Sequence, residues 1–208
     1  MLDVDSTLIE SEAIELLAEE AGSLSAVSDI TVRAMNGELD FESSLRARVS
    51  TLAGLPVSIF DAVAGRIRVT AGVPELVAGI HAAGGCVGVV SGGFHELIDP
   101  IAHRLGLDYC RANRLGSQDG VLTGELEGVV IDAEAKATTL TEWAERCGVP
   151  LRQTIAIGDG ANDLQMMAIT GLSVGFDAKA PVRDEADVLL DMRDLSMVLS
   201  LLGLPRSR

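Results

Sequence analysis

The sequence predicts an α/β protein, a doubly wound parallel sheet with a helical unit inserted after its first strand. Three observations carry this. Short apolar runs rich in β-branched residues alternate with stretches of helical periodicity, as a parallel sheet wrapped by helices requires. Residues 10–68, by contrast, hold helical spacing and no convincing strand. Finally, three polar clusters, "DVDST" (3–7), "SGG" (91–93) and "GDGANDL" (158–164), fall at the ends of predicted strands. In open α/β sheets, ligands bind at that carboxyl edge.

Taken in order, the chain opens on a strand of which only Met1 and Leu2 precede Asp3. Strands typically run ~5–6 residues. The first strand is therefore expected to be nearly missing, and the natural chain to be longer at this end. In "ESEAIELLAEEAG" (10–22), Ile14, Leu16, Leu17 and Ala21 share a helical face and Gly22 is the stop. Helices are also predicted at 25–36, at 41–53 and after Pro56. The core resumes with a helix at 74–83, a strand at 86–91 and a helix at 94–105. Two extended segments, "LDYCRANRL" and "GVLTGELEGVVI", turn at Asp119-Gly120, a dipeptide suited to a tight hairpin. A helix at 133–147, a strand at 153–159, a helix at 162–170, strands at 172–176 and 186–190 and a helix at 194–202 complete the reading. The expected division is a core of residues 1–9 and 69–208, with a helical cap of residues 10–68.

Of the 208 residues 48% are hydrophobic, enough to bury the core of one domain with a modest insertion. The net charge of −15 repels nucleic acid and anionic membranes, so neither is an expected partner. An anionic substrate must then meet its counter-charge locally. Cys86, Cys110 and Cys147 lack metal-ligand spacing and read as buried, reduced thiols. No apolar run approaches the ~20 residues of a membrane span. The acidic N-terminus lacks the basic start of a signal peptide, and a soluble, cytoplasmic protein is expected.

The clusters suggest phosphoryl chemistry. In an extended segment Asp3 and Asp5 point the same way. One ordinary explanation is that Asp5 or Ser6 caps the next helix. The chemical reading is a carboxylate nucleophile, Asp3, with a general acid/base, Asp5. Asp159 at its strand end suits a hard, oxygen-ligated Mg2+ site together with Asp3, and Asp163 could hold a metal-bound water or its neighbours. Ser91 and Gly92 could cradle a phosphate with a hydroxyl and backbone N–H groups, or form a plain tight turn. Lys136 is either a solvated helix residue or a cation for transferring oxygens.

"DVDST", "VVSGG", a Lys near a helix start and "GDGAND", in that order, resemble the haloacid dehalogenase superfamily of aspartate-nucleophile phosphatases. The resemblance covers nearly the whole chain. It implies a Rossmann-like core, an aspartyl-phosphate on Asp3, Asp5 as acid/base, and phosphate binding by Ser91, the N–H of Gly92 and Lys136. It also implies Mg2+ held by Asp3, the backbone carbonyl of Asp5 and Asp159, with 10–68 as the cap. "DVDSTLIESE", "AMNGELDFESSLRARV", "ANRL" and "IGDGANDLQMM" narrow it to the branch that hydrolyses O-phospho-L-serine to L-serine. There Glu12 is expected to bind the substrate ammonium and Arg48 its carboxylate, Met35 and Phe41 to close the pocket, and Asn162 to help hold phosphate. An acid and a fork-shaped base suit a zwitterionic amino acid. A monomer or homodimer is expected.

Rival readings are a relative acting on phosphohomoserine or phosphothreonine, an inactive paralogue, and a phospho-acceptor signalling module that stops at one phosphoryl group. A serine hydrolase using Ser91 with His95 or His103 fails the G-x-S-x-G pattern, because Val89 sits two residues before Ser91. No P-loop sequence occurs.

Overall fold

The computed structural model describes residues 1–205, apart from the side chain of Met35. Its helices are α1 (Ala13–Glu20), α2 (Leu24–Met35), α3 (Phe41–Ser50), α4 (Ile59–Ala64), α5 (Val73–Ala82), α6 (His95–Leu105), α7 (Ala133–Cys147), α8 (Leu164–Ala168), α9 (Ala180–Glu185) and α10 (Met197–Leu201). Its strands are β1 (Gly88–Phe94), β2 (Tyr109–Gln118), β3 (Val121–Glu127), β4 (Ile155–Gly158), β5 (Leu172–Phe176) and β6 (Val188–Leu190).

Strands β1 and β2 pair in parallel, as do β4 with β5 and β5 with β6, while β3 runs antiparallel to β2. Leu2 joins the two halves. It bridges in parallel to Val89 on one side and Ile157 on the other, giving the order β3-β2-β1-Leu2-β4-β5-β6. So the first strand is a single rung. Leu2 N donates to Gly88 O and Val90 N to Leu2 O, while Asp3 N donates to Ile157 O. Below the rung, Met1, Leu2, Gly88, Trp143, Ile155 and Val198 line an apolar cavity of about 320 Å³.

One apolar cluster builds the core: Leu2, Val4, Val89, Ile157, Val174 and Phe176 from the sheet, with Leu76, Ile98 and Leu199 from α5, α6 and α10. A second unites the helical insertion, through Leu17, Leu45, Leu52 and Val63, with Leu115 and Leu122 of the β2–β3 hairpin. Backbone pairing reinforces this contact: Gly54 N donates to Leu122 O and Leu122 N to Leu55 O, both within 2.9 Å. The hairpin thus shares the insertion's core. Its turn has Asp119 at φ 52° and Gly120 at φ 78°, the left-handed pair that matches strand twist. The insertion leaves and rejoins the core side by side, with Glu10 N donating to Arg68 O and Thr70 N to Leu8 O.

Several expected boundaries move. The strand predicted from Cys86 starts at Gly88 and runs through Ser91–Gly93 to Phe94, so "SGG" lies within β1 rather than after it. Cys86 consequently sits in the preceding loop and is exposed, and Cys110 and Cys147 are only partly buried; all three thiols are free. The short helix α9 was absent from the sequence reading, where Pro181 and six residues give little periodicity.

Candidate active site

Asp3 ends the central rung, and there the chain makes one wide turn, Val4–Leu8, closed by Ile9 N donating to Val4 O. Ser6 takes a left-handed φ of 59° within it. The turn returns Asp5 to the side of Asp3, and both line one cavity of about 420 Å³. Glu12, Phe41 and Arg48 face it from the insertion, and Gly92, Gly93, Asp159, Asn162 and Lys179 from the strand ends. The carboxyl edge of the sheet therefore gathers the three polar clusters. Asp5 Oδ1 also accepts from Ala13 N at 2.7 Å, so Asp5 caps α1 while lining the cavity.

Lys136 is not a solvated helix residue. It lies in the first turn of α7 with no exposed surface, and Nζ donates to Asp3 Oδ1 at 2.5 Å and Asp163 Oδ1 at 2.7 Å. Asp132 caps that helix, accepting from Ala135 N, which fixes where Lys136 starts its reach. Asp163 uses its other oxygen to accept from the N–H groups of Asp159 and Gly160, both at 3.1 Å. It thereby ties the loop after β4 to Lys136. Asp159 is 5% exposed, and its Oδ2 pairs with Lys179 Nζ at 2.9 Å.

Burial dominates the electrostatics. It raises the Asp3 carboxyl well above the usual range, against the pull of Lys136. Burial, and next the nearby Glu12, bring Asp5 to about 7. Burial also raises Glu12 and Asp159, with Lys179 opposing in both cases. It works against the Lys136 ammonium too, but Asp3 and Asp163 outweigh it and lift the group above an ordinary lysine.

The Ser91–Gly93 segment is held from behind. Ser91 is fully buried and its Oγ accepts from Gly93 N at 2.8 Å; of the loop, Gly92 and Gly93 reach the cavity surface. A Cβ on Gly92 would stand 3.1 Å from Phe41 Cζ, so the ring covers this backbone closely. Asn113, in mid-β2, donates from Nδ2 to Gly92 O and accepts at Oδ1 from Ile131 N, each at 2.8 Å. Sequence reading gave Asn113 no role. A polar residue in a strand core was the available signal. Lys179 was missed too; it follows β5, whose end belongs to the same edge.

Glu12 precedes α1 and accepts from Ser6 Oγ at 3.1 Å. Arg48, on α3, is partly buried, with Nε donating to Ser44 O at 3.4 Å. Phe41 begins the same helix, and Asp40 caps it through Ser43 N. Met35 ends α2, and its side chain lies outside the described residues. Ser91 and His95 form no nucleophile–base pair: His95 Nδ1 meets Asp99 Oδ1 at 2.7 Å and Nε2 accepts from Ala112 N.

The site suits a hard divalent cation. Carboxylate oxygens of Asp3, Asp159 and Asp163 all lie within 4.8 Å of one another, and all three residues are buried. An all-oxygen donor set of this kind fits Mg2+ rather than a thiophilic metal.

The chain belongs to the haloacid dehalogenase-like hydrolase family, whose model matches residues 1–168. It is 48% identical over 202 residues to the phosphoserine phosphatase of Streptococcus thermophilus, covering 97% of this chain and 94% of that protein. It is 48% identical over 206 residues to the phosphoserine phosphatase of Streptomyces coelicolor, covering 99% of this chain and 50% of that protein, so it spans half of that relative's length. Among solved structures, a substrate-bound phosphoserine phosphatase superposes with a TM-score of 0.90 at 42% identity, over 96% of this chain and 95% of the other. A phospho-aspartyl intermediate analogue of phosphoserine phosphatase gives a TM-score of 0.90 at 43% identity, over 96% of each chain.

Proposed function

We propose that this chain hydrolyses O-phospho-L-serine to L-serine and phosphate through an aspartyl-phosphate on Asp3. The observation that carries the reading is one cavity. It joins two carboxylates at a sheet edge, Asp3 and Asp5, to an acid and a guanidinium from the insertion, Glu12 and Arg48. The first pair suits phosphoryl transfer, and the second suits a zwitterionic amino acid. Relatives named for this activity at up to 48% identity support it.

In this reading Lys136 orients the Asp3 carboxylate and offsets charge on the phosphoryl oxygens. The Ser91 hydroxyl, the Gly92 N–H and Asn162 hold the phosphoryl group. An oxygen of Asp3 attacks phosphorus, the bond from phosphorus to the serine oxygen breaks, and Asp5 gives its proton to the departing alkoxide. An Asp5 carboxyl near 7 is half protonated at neutral pH, which suits that transfer. Asp5 then takes a proton from water, the water oxygen attacks phosphorus, and the bond to Asp3 breaks to release phosphate. Asp3, Asp159 and the Asp5 backbone carbonyl would hold Mg2+, which when bound would supply charge neutralisation at the phosphoryl oxygens. Residues 10–68 act as a cap that reads the amino acid, with Phe41 over the phosphate loop. The setting is serine biosynthesis in the cytoplasm.

The test is phosphate release from O-phospho-L-serine with Mg2+, beside O-phospho-L-threonine and the Asp3→Asn variant. Expected are many turnovers per chain, preference for phosphoserine, and a loss of about 10³-fold or more in the variant. Release that stops at one phosphate per chain, or that survives the substitution, would sink the reading.

A further inference from the structure

Two lysines enter this acidic site, and they are held in opposite ways. Lys136 is fully buried and bonded to two buried carboxylates, so removing it would strand charge in the interior. Lys179 has 63% of its side chain exposed and makes one bond, at 2.9 Å, to Asp159 Oδ2. The mostly exposed stem lets this ammonium move out to water, but the carboxylate it would leave is buried, so the exchange needs another cation in its place. Its backbone, though, is fixed: Lys179 N donates to Asp159 O at 2.9 Å, and the residue precedes α9. The tether keeps this ammonium beside the carboxylate cluster whether or not the bond is made. Glu12 lies within its field as well.

We propose that Lys179 is a tethered, exchangeable cation that stands on Asp159 in the metal-free chain and is displaced when the divalent metal binds. This rests on the assignment of Asp3 and Asp159 as ligands made above. A metal that coordinates Asp159 must outcompete the ammonium for its oxygen, and any ammonium that stays nearby repels the ion. Both effects act in one direction. Lys179 therefore weakens metal binding while sparing the empty site an uncompensated carboxylate at its mouth.

The experiment is metal binding without substrate on the metal-stripped full chain at low, fixed ionic strength. Mn2+ is followed by the EPR signal of the free ion and Mg2+ by calorimetry. Wild type, Lys179→Met, Lys179→Arg and Asp159→Asn are compared. Lys179→Met is expected to bind roughly three- to tenfold tighter, with Lys179→Arg close to wild type. The gap should narrow as salt is added. A merely structural lysine would not tighten binding on removal. Unchanged or weaker binding by Lys179→Met overturns the proposal while leaving the ligands in place, provided wild type binds and Asp159→Asn does not. If wild type binds no metal, or Asp159→Asn binds as wild type does, the ligand assignment fails and this inference with it.

Discussion

Asn113 is 2% exposed, with both ends of its carboxamide in use. One end holds the strand end at Gly92, and the other holds Ile131, two residues before the helix that carries Lys136. One side chain thus sets the spacing between two parts of the site. Asn113→Ala leaves the buried Ile131 N–H and the partly buried Gly92 carbonyl without this partner, which costs about 1–3 kcal/mol. Urea unfolding should show that loss. Asn113→Asp keeps the acceptor and loses the donor, so it should still hold Ile131 while releasing Gly92. At this scale the sequence was informative about residue type and poor about partners. Lys136 looked like one more helix lysine, because its burial depends on Asp3 and Asp163, far away in the chain. Glu12, just before α1, and Arg48, on α3, lie in local patterns that say nothing of a cavity, and only a family likeness singled them out.

At the level of elements, the insertion supplies what the sheet edge lacks. Helix α3 carries Phe41 at its start and Arg48 two turns later, and it rests on β3 through the pairing of 54–57 with the hairpin. Arg48 is proposed to bind the substrate carboxylate. Arg48→Ala should then raise KM for phosphoserine roughly 10–100-fold, the equivalent of a charged hydrogen bond, with a small effect on kcat. Hydrolysis of O-phosphoethanolamine, which has no carboxylate, should be unaffected. Parallel steady-state kinetics on the two substrates decides this. Periodicity located α1, α3 and α5–α7 because each buries an apolar stripe, and α2 lies where predicted although Val27 alone of its described residues is buried. It failed at α9, where two turns and a proline leave no stripe to see, and at β1, whose glycines mask a strand that continues to Phe94.

Across the whole molecule, a chain of net charge −15 concentrates carboxylates at one edge of its sheet. The folded state should therefore gain from any cation that binds there. At Mg2+ a hundredfold above its Kd, linkage gives about 2.7 kcal/mol, a rise in Tm of roughly 5–10 °C for a chain of this size. Differential scanning calorimetry with Mg2+ and with a chelator should record it, and Asp159→Asn should abolish the difference. The alternation of apolar strands and helices made the sheet legible, because buried parallel strands need that composition. The sharing of a core between insertion and hairpin was not, since it joins residues 45–63 to 115–122 through packing and backbone pairs between segments far apart in the chain.

The rung at Leu2 has a further consequence. It joins two three-stranded halves, and the residue after it is Asp3, whose partner Asp159 belongs to the other half. The single rung that joins the halves and the carboxylate cluster of Asp3 and Asp159 occupy the same few ångströms. Any parting of the sheet along this line would separate Asp3 from Asp159. Under the proposed mechanism, phosphate release should then be lost at or below the temperature at which circular dichroism records unfolding, and parallel melts followed by the two signals check this.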